Sequence, residues 1–537
     1  MPRMCRRRRR STTIRGASRL TICVTIATRC ASSNIMSEPQ RSGITQHPRE
    51  IDMASQTKLP SLTRNALLNS MRTVSSLLFP LITFPYVSRI LGAENIGKIN
   101  YSQSIVSYFA LFAGLGITNY AIREGAKIKR DQESLTRFVQ QIFTINIISS
   151  AIAYVAFFVT VAVIPNLHAY LVLLFIQCLT IGFTTLGVEW LYSIFEDYLY
   201  ISVRTILVQV VSLILMFALV HKPSDYIIYA AISVFATSAA NIWGFFYSRR
   251  YAKLALTRAP QARRHFSPIM TLFMNSVATA IYSNAGTTFV GAMLGNVQVG
   301  LYSVAMKVYV IIRQAINSLT GVSMPRLSYL STNDPKGYLR LLNKLFNAVI
   351  VVCLPAAVLV FALSRPIVLI ISGPKYIEAV PMLEIIAFAL AFTAPGVFLM
   401  NGILIPLRRE KKVVISTASG AAINIVIYAL GIRAFGAPAA CVSIVVAECT
   451  VFSLALCFSW DQVRQLRLGA SIMHAVAGCL LVLLCNAVFA RTVRFDNIFM
   501  DFAVRGTTYA VVYAATLLAL RDESALFFLK KLLPRKG

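Results

Sequence analysis

Between residues 64 and 520 the chain is a succession of apolar runs separated by short polar connections. Each run is about 20 residues long, the length at which an α-helix crosses the hydrocarbon layer of a bilayer. Runs at 64–88, 99–120, 138–164, 168–191, 200–220, 225–247, 269–294, 299–324, 341–363, 379–405, 412–432, 437–458, 469–490 and 499–520 predict about 14 transmembrane helices. The fold expected is an all-α polytopic membrane protein. Its longest connection on the face away from the cytoplasm is expected near 364–380.

A second pattern lies over the first. Leu91-Gly92-x-x-x-Ile96-Gly97 returns, at an offset of 203 residues, as Leu294-Gly295-x-x-x-Val299-Gly300. The same offset sets Arg123 against Arg326, and with a small slip Asn69-Ser70 answers Asn275-Ser276. Each copy opens a block of six predicted helices. Six is even, so both blocks enter the membrane from the same side, as parallel repeats about an axis along the membrane normal. Two pseudo-symmetric six-helix lobes around a central cavity, plus two extra helices, are expected. The boundaries are a basic leader at 1–60, an N-terminal lobe at 61–250, a C-terminal lobe at 251–460, and two added helices with a basic cytoplasmic tail at 461–537. The leader is expected to be disordered or absent from the mature protein, which would begin near Met53.

The first glycine pair also completes Gly92-Ala-Glu-Asn-Ile-Gly97-Lys98, which spells the start of a phosphate-cradling loop. Such a loop needs Ser or Thr after the lysine and must run from a strand into a helix. Ile99 follows Lys98, and both flanks are helical. The glycines read instead as a tight turn between paired helices, and no nucleotide is expected.

Composition agrees with the membrane reading: 57% of residues are hydrophobic and 14% charged, against roughly a quarter charged in soluble domains. The net charge of +31 does not indicate nucleic acid, because the basic residues form short patches between apolar runs. With the N-terminus in the cytoplasm, the cytoplasmic side carries roughly 27 Lys and Arg and the other side roughly 8. Trp190, Trp243 and Trp460 each end an even-numbered helix, at the cytoplasmic interface. Both termini are thus expected in the cytoplasm. The ten cysteines form no C-x-x-C and the five histidines are scattered, so neither a metal nor another cofactor is expected.

Ionisable groups inside a helix are costly and should face the cavity or a partner. Asn65, Asn69, Arg72 and Ser76 share one helical face; Asn275, Thr279, Tyr282 and Gly286 share the matching face of the seventh helix. Lys307 and Arg313 lie within the eighth, with Gln314 beside Lys307 and Asn317 beside Arg313. Arg72, Lys307, Arg313, Asn69, Asn275, Gln314 and Asn317 are the candidate substrate-binding residues. A cavity lined by Arg and Lys favours an anionic, phosphate-bearing headgroup. Glu189, Glu384 and Glu448 are candidates for ion coupling or for structural pairing with these cations. Arg123, Arg326 and Lys98 read as interface anchors or rim charges. No catalytic group is singled out.

The segments "FPLITFPYVSRILGAENIGKINYSQSIVSYFALFAGLGITNYAIREGAKIKRD", "EWLYSIFEDYLYISVRTI" and "VGLYSVAMKVYVIIRQAINSLTGVSMPRLSYL" resemble the Wzx-type polysaccharide (O-antigen repeat-unit) flippases. These form the polysaccharide-transporter branch of the multidrug/oligosaccharidyl-lipid/polysaccharide (MOP) exporter superfamily. The likeness extends over about residues 60 to 490. It implies two six-helix lobes with a cationic lumen. It further implies movement of undecaprenyl-pyrophosphate-linked oligosaccharide across the bacterial inner membrane, driven by an ion gradient, with a polysaccharide polymerase and chain-length proteins as partners. Two other classes remain as alternatives: a drug/cation antiporter of the same superfamily, and a membrane enzyme of the polysaccharide pathway. The first would favour acidic groups in the core of the N-terminal lobe, and the second a large outside loop bearing carboxylates.

Overall fold

The periodicity that predicts helices is realised throughout. The computed structural model describes residues 62–321, 324–492, 495–522 and 525. The leader and most of the basic tail lie outside the described residues. In the first half α1 (Leu62–Gly114) is followed by α2 (Ile117–Ile128), α3 (Gln132–Val163), α4 (Leu171–Gly187), α5 (Glu189–Ile194), α6 (Tyr198–Leu219) and α7 (Tyr226–Tyr247). The second half holds α8 (Ala262–Leu294), α9 (Asn296–Gly321), α10 (Met324–Asn333), α11 (Pro335–Ala362), α12 (Ser364–Ser372), α13 (Val380–Ala387), α14 (Ala389–Leu399), α15 (Glu410–Phe435) and α16 (Ala437–Val463). Helices α17 (Gly469–Thr492) and α18 (Ile498–Ala519) close the chain. They pack on α11, where the Tyr513 hydroxyl donates to the Val351 carbonyl at 2.8 Å.

Among the described residues, twelve helical segments are long and apolar enough to cross a membrane, two fewer than the expected 14. The difference has two sources. The first segment counts as one from Met71 to Ile128, but Gly92 inside it has φ 75° and ψ 170°, which divides α1 into two rods. Helix α8 has 33 residues yet carries Arg263, Arg264 and Asn275, which lower its apolarity. The connection expected as a loop at 364–380 is itself helical, formed by α12 and a 3-10 turn at Pro374–Ala379.

The glycine repeat is resolved into two roles. Gly92 and its counterpart Gly295 (φ 86°) occupy the left-handed region, where a side chain is strained. Gly97 and Gly300 are helical packing positions instead. A methyl on Gly97 would overlap the Asn296 carbonyl, and one on Gly300 would overlap the Ala93 carbonyl. The contacts are reciprocal: each half's second glycine sits on the residue after the other half's first. Across the same seam Tyr170 donates to Asn296 Oδ1 at 2.8 Å and Thr288 to Ser104 Oγ at 3.0 Å.

Burial differs between the two ends of the molecule. At the Gly92/Gly295 end one hydrophobic core joins both halves, with Leu91, Ile96, Leu173, Val299, Tyr302 and Tyr376 among its members. Toward the end that the charge pattern assigns to the cytoplasm, the core divides. One cluster, around Tyr120, Phe138, Trp190 and Ile201, belongs mainly to the first half; the other, around Leu327, Phe346, Phe398 and Val463, belongs to the second. The halves share one core at one end; at the other their cores are distinct, and the start of α8, with Ile269 in the first half's cluster, bridges them.

Candidate functional site

At 1.5 Å per helical residue, Arg72 lies about 30 Å and Arg313 about 27 Å from the glycine seam, near the divided end. Lys307 lies about 18 Å from it, roughly mid-membrane. Each of the three has a different electrostatic setting.

Arg72 donates from Nη1 to Glu189 Oε1 at 2.5 Å. Glu189 reaches that place because the chain breaks between α4 and α5 at Val188, whose φ of 39° and ψ of 38° are left-handed. A β-branched residue held there stores on the order of 1–3 kcal/mol of strain, so the surrounding packing over-determines the turn. Behind Glu189 lies Arg204 of α6, whose Nη2 stands 3.6 Å from Glu189 Oε2. Arg204 is only 4% exposed. Its Nη1 donates to the Ala240 carbonyl at 3.0 Å, and its guanidinium sits 5.3 Å and 5.4 Å from the Tyr192 and Tyr200 ring centroids. Gly244 supplies the space: a methyl there would meet the guanidinium. Tyr200 stacks on Tyr247, and the Tyr247 and Tyr251 hydroxyls both donate to Asp197, at 3.1 Å and 2.6 Å. Glu189 also borders a cavity of about 270 Å³ lined by Thr118, Asn146, Thr185 and Asn241.

The second half holds a comparable group. Glu448 of α16 is 7% exposed and lies 3.8 Å from Arg313 Nη1. The Tyr309 hydroxyl donates to it at 2.8 Å and lies 3.0 Å from Thr393 Oγ1. Tyr282 of α8, on the face that sequence singled out, stands near the same carboxylate.

Lys307 has no carboxylate within ion-pair reach among the described residues. Its ammonium lies 5.4 Å from the ring centroid of Phe84 on α1, so it reaches across the seam between the halves.

The remaining candidates fall elsewhere. Gln314 is exposed and Asn317 half-buried; the side chains of Asn69 and Asn275 lie outside the described residues. Glu384 accepts from Ser364 Oγ at 3.0 Å and joins neither arginine. Lys98 pairs with Glu94 at 2.7 Å, Arg123 pairs with Glu124 at 3.0 Å, and Arg326 is exposed. Sequence reasoning missed Arg204 and Tyr309. The signal for Arg204 was present, a charge inside the fifth apolar run, but four residues from its predicted edge such a charge passes for an interface anchor.

The sequence profile of the polysaccharide biosynthesis protein family matches residues 62–331, which contain Arg72, Glu189, Arg204, Lys307 and Arg313. The chain belongs to the polysaccharide biosynthesis protein family. Among its relatives, a protein of Escherichia coli (strain K12) whose name marks it as an O-antigen transporter is 26% identical over 414 residues, covering 74% of this chain and 96% of its own. The fold of this family member resembles the lipid II flippase MurJ in an inward closed conformation, with a TM-score of 0.68, 15% identity, and coverage of 86% of this chain and 99% of MurJ. It also resembles an inward-facing multidrug resistance MATE transporter of the MOP superfamily, with a TM-score of 0.52, 13% identity, and coverage of 75% and 98%. The expected family resemblance is borne out by the profile match and the O-antigen transporter relative, and the MurJ- and MATE-like fold agrees with it.

Proposed function

We propose that this chain is a flippase that moves undecaprenyl-pyrophosphate-linked oligosaccharide repeat units from the cytoplasmic to the periplasmic leaflet of a bacterial inner membrane. The proposal includes 14 membrane crossings, with the two rods of α1 and the polar α8 each counted as crossings, and cytoplasmic termini. The observation that carries the reading is Lys307, a mid-membrane cation between the halves with no carboxylate partner among the described residues. Such a charge is costly in a bilayer unless a ligand or water offsets it, and a pyrophosphate group does so while the polyprenyl tail stays in lipid. The halves, which share one core at the glycine seam and have distinct cores at the other end, suit rocking about that seam. Coupling to a proton or sodium gradient, with Glu189 or Glu448 as the responding carboxylate, belongs to the same proposal, as does work beside a polysaccharide polymerase. The O-antigen transporter relative supports the substrate class.

The test is transfer in proteoliposomes carrying lipid-linked oligosaccharide in one leaflet. Protein-dependent appearance in the other leaflet is expected. Its absence under both imposed proton and imposed sodium gradients would sink the reading.

A further inference from the structure

Glu189 serves two cations of opposite character. Arg204 is buried, tied to the Ala240 carbonyl and packed against two tyrosine rings. Arg72 is one-third exposed, belongs to a different helix, and donates through Nη1 to this carboxylate. Resting on the flippase reading above, we infer that Glu189 is the exchangeable counter-ion of Arg72, and that Arg204 is a positioning residue that retains Glu189 when the pyrophosphate of the substrate takes Arg72 over.

The argument is electrostatic. An unpaired arginine inside a membrane protein is expensive, so an empty transporter gains by covering it with a carboxylate. That carboxylate, whose side chain is 42% exposed, then competes with the anionic substrate, and its release requires that it keep a partner other than Arg72. Arg204 answers the second requirement, since Glu189 keeps an ion pair behind it after Arg72 leaves. The polar cavity of about 270 Å³ on the flank of Glu189 gives the freed carboxylate oxygen a place to be solvated. Arg204 is fixed for this task by the Ala240 carbonyl, and no carboxylate other than Glu189 lies within ion-pair reach of it among the described residues. The second half repeats the layout with a neutral donor in place of Arg204. There Tyr309 holds Glu448 from behind at 2.8 Å, and the more exposed Arg313 lies 3.8 Å away. In both halves a partly exposed arginine faces a carboxylate that a buried group also holds.

The test uses the full-length protein in detergent at pH 7, with farnesyl pyrophosphate as the probe and binding affinity as the readout. Glu189→Gln removes the competitor and should tighten binding about tenfold, the scale of one charge-assisted hydrogen bond. Arg204→Met leaves Glu189 to Arg72 alone and should weaken binding about tenfold. The double variant E189Q/R204M, which buries no unpaired charge and so guards against misfolding of the single variants, should bind like E189Q within about twofold. An Arg204 that merely adds positive charge would weaken binding equally in both backgrounds, and that result overturns the inference. Wild-type protein that binds no polyprenyl pyrophosphate overturns the flippase reading and the clasp with it. Wild-type binding with no gain in E189Q overturns the clasp alone.

Discussion

Asn100 and Ser303 stand 203 residues apart at equivalent places in the two halves, and they bond to each other: Asn100 Nδ2 donates to Ser303 Oγ at 2.9 Å. Equivalent residues meet in this way where the axis relating the two halves passes. The reciprocal pairs Gly97 with Asn296 and Gly300 with Ala93 flank the same contact. The seam is therefore a self-complementary surface, and the rocking proposed above would require it to part.

Bulk at the seam should force that parting. Gly97→Leu or Gly300→Leu places a side chain where the opposing backbone carbonyl lies, a clash that helix packing relieves by separating the halves. In protein with its native cysteines replaced, a cysteine introduced at Ser303 should react several-fold faster with a membrane-impermeant thiol reagent added from outside when either leucine is present. Unchanged reactivity in both membrane-inserted variants would show that the seam is not the barrier on that side.

Lys307 and Arg313 should separate function from stability. Lys307→Met removes a cation that no described carboxylate needs, so transport should fall at least about tenfold while the thermal midpoint stays level or rises. Arg313→Met leaves the buried Glu448 without its cation and should destabilise by about 3 kcal/mol. Thermal unfolding of the two purified variants, run beside the transport assay, checks the contrast. A Lys307→Met protein as unstable as Arg313→Met would reveal a structural role for the lysine.

Gly244 should be intolerant of a methyl group, through one named neighbour. Gly244→Ala puts carbon against the Arg204 guanidinium, and overpacking of this kind costs about 1–3 kcal/mol. Adding Arg204→Met removes the obstacle, so the alanine should then cost little. A double-mutant cycle on unfolding free energy measures the coupling. A cost for Gly244→Ala that persists in the Arg204→Met background would place the clash elsewhere, on Tyr192 or the Gly187 backbone.

The fold was legible because a membrane helix carries its own signature, a run of apolar residues, and because charges gather on one side. The repeat was legible through Gly92 and Gly295, which no other residue type replaces without strain. The pairing of charges was not legible. Glu189 and Glu448 stood out as intramembrane carboxylates, but which arginine each meets depends on which helices become neighbours, and here those are α1 with α5 and α9 with α16. Arg204 looked like an anchor because depth is judged from the ends of an apolar run. The α4–α5 break at Val188 turns the following segment inward and buries it instead. The second glycine of each repeat looked like part of a turn, and its use as a flat surface for the opposite half appears only once both halves are in place.

His265 should give the protein a pH-dependent tie between its halves. It lies in the first turn of α8, before the predicted membrane span, is 2% exposed, and joins the Tyr120 hydroxyl on α2 (2.7 Å from Nδ1) to Gln141 Oε1 on α3 (3.0 Å from Nε2). With the glutamine oxygen accepting, Nε2 carries the proton and Nδ1 accepts from tyrosine, so the neutral ring satisfies both partners. Burial, and then the neighbouring Arg264, push its pKa below the ordinary 6.5. The sign follows from linkage: the unfolded chain protonates first, so the stabilising effect is complete above about pH 6.5 and declines as pH falls toward the lower folded value. The thermal midpoint of the wild type should drop as pH falls below about 6.5, and His265→Gln should lose that part of the slope while being less stable at pH 7.5. Equal slopes for the two proteins across this acid range would assign the acid sensitivity to other groups.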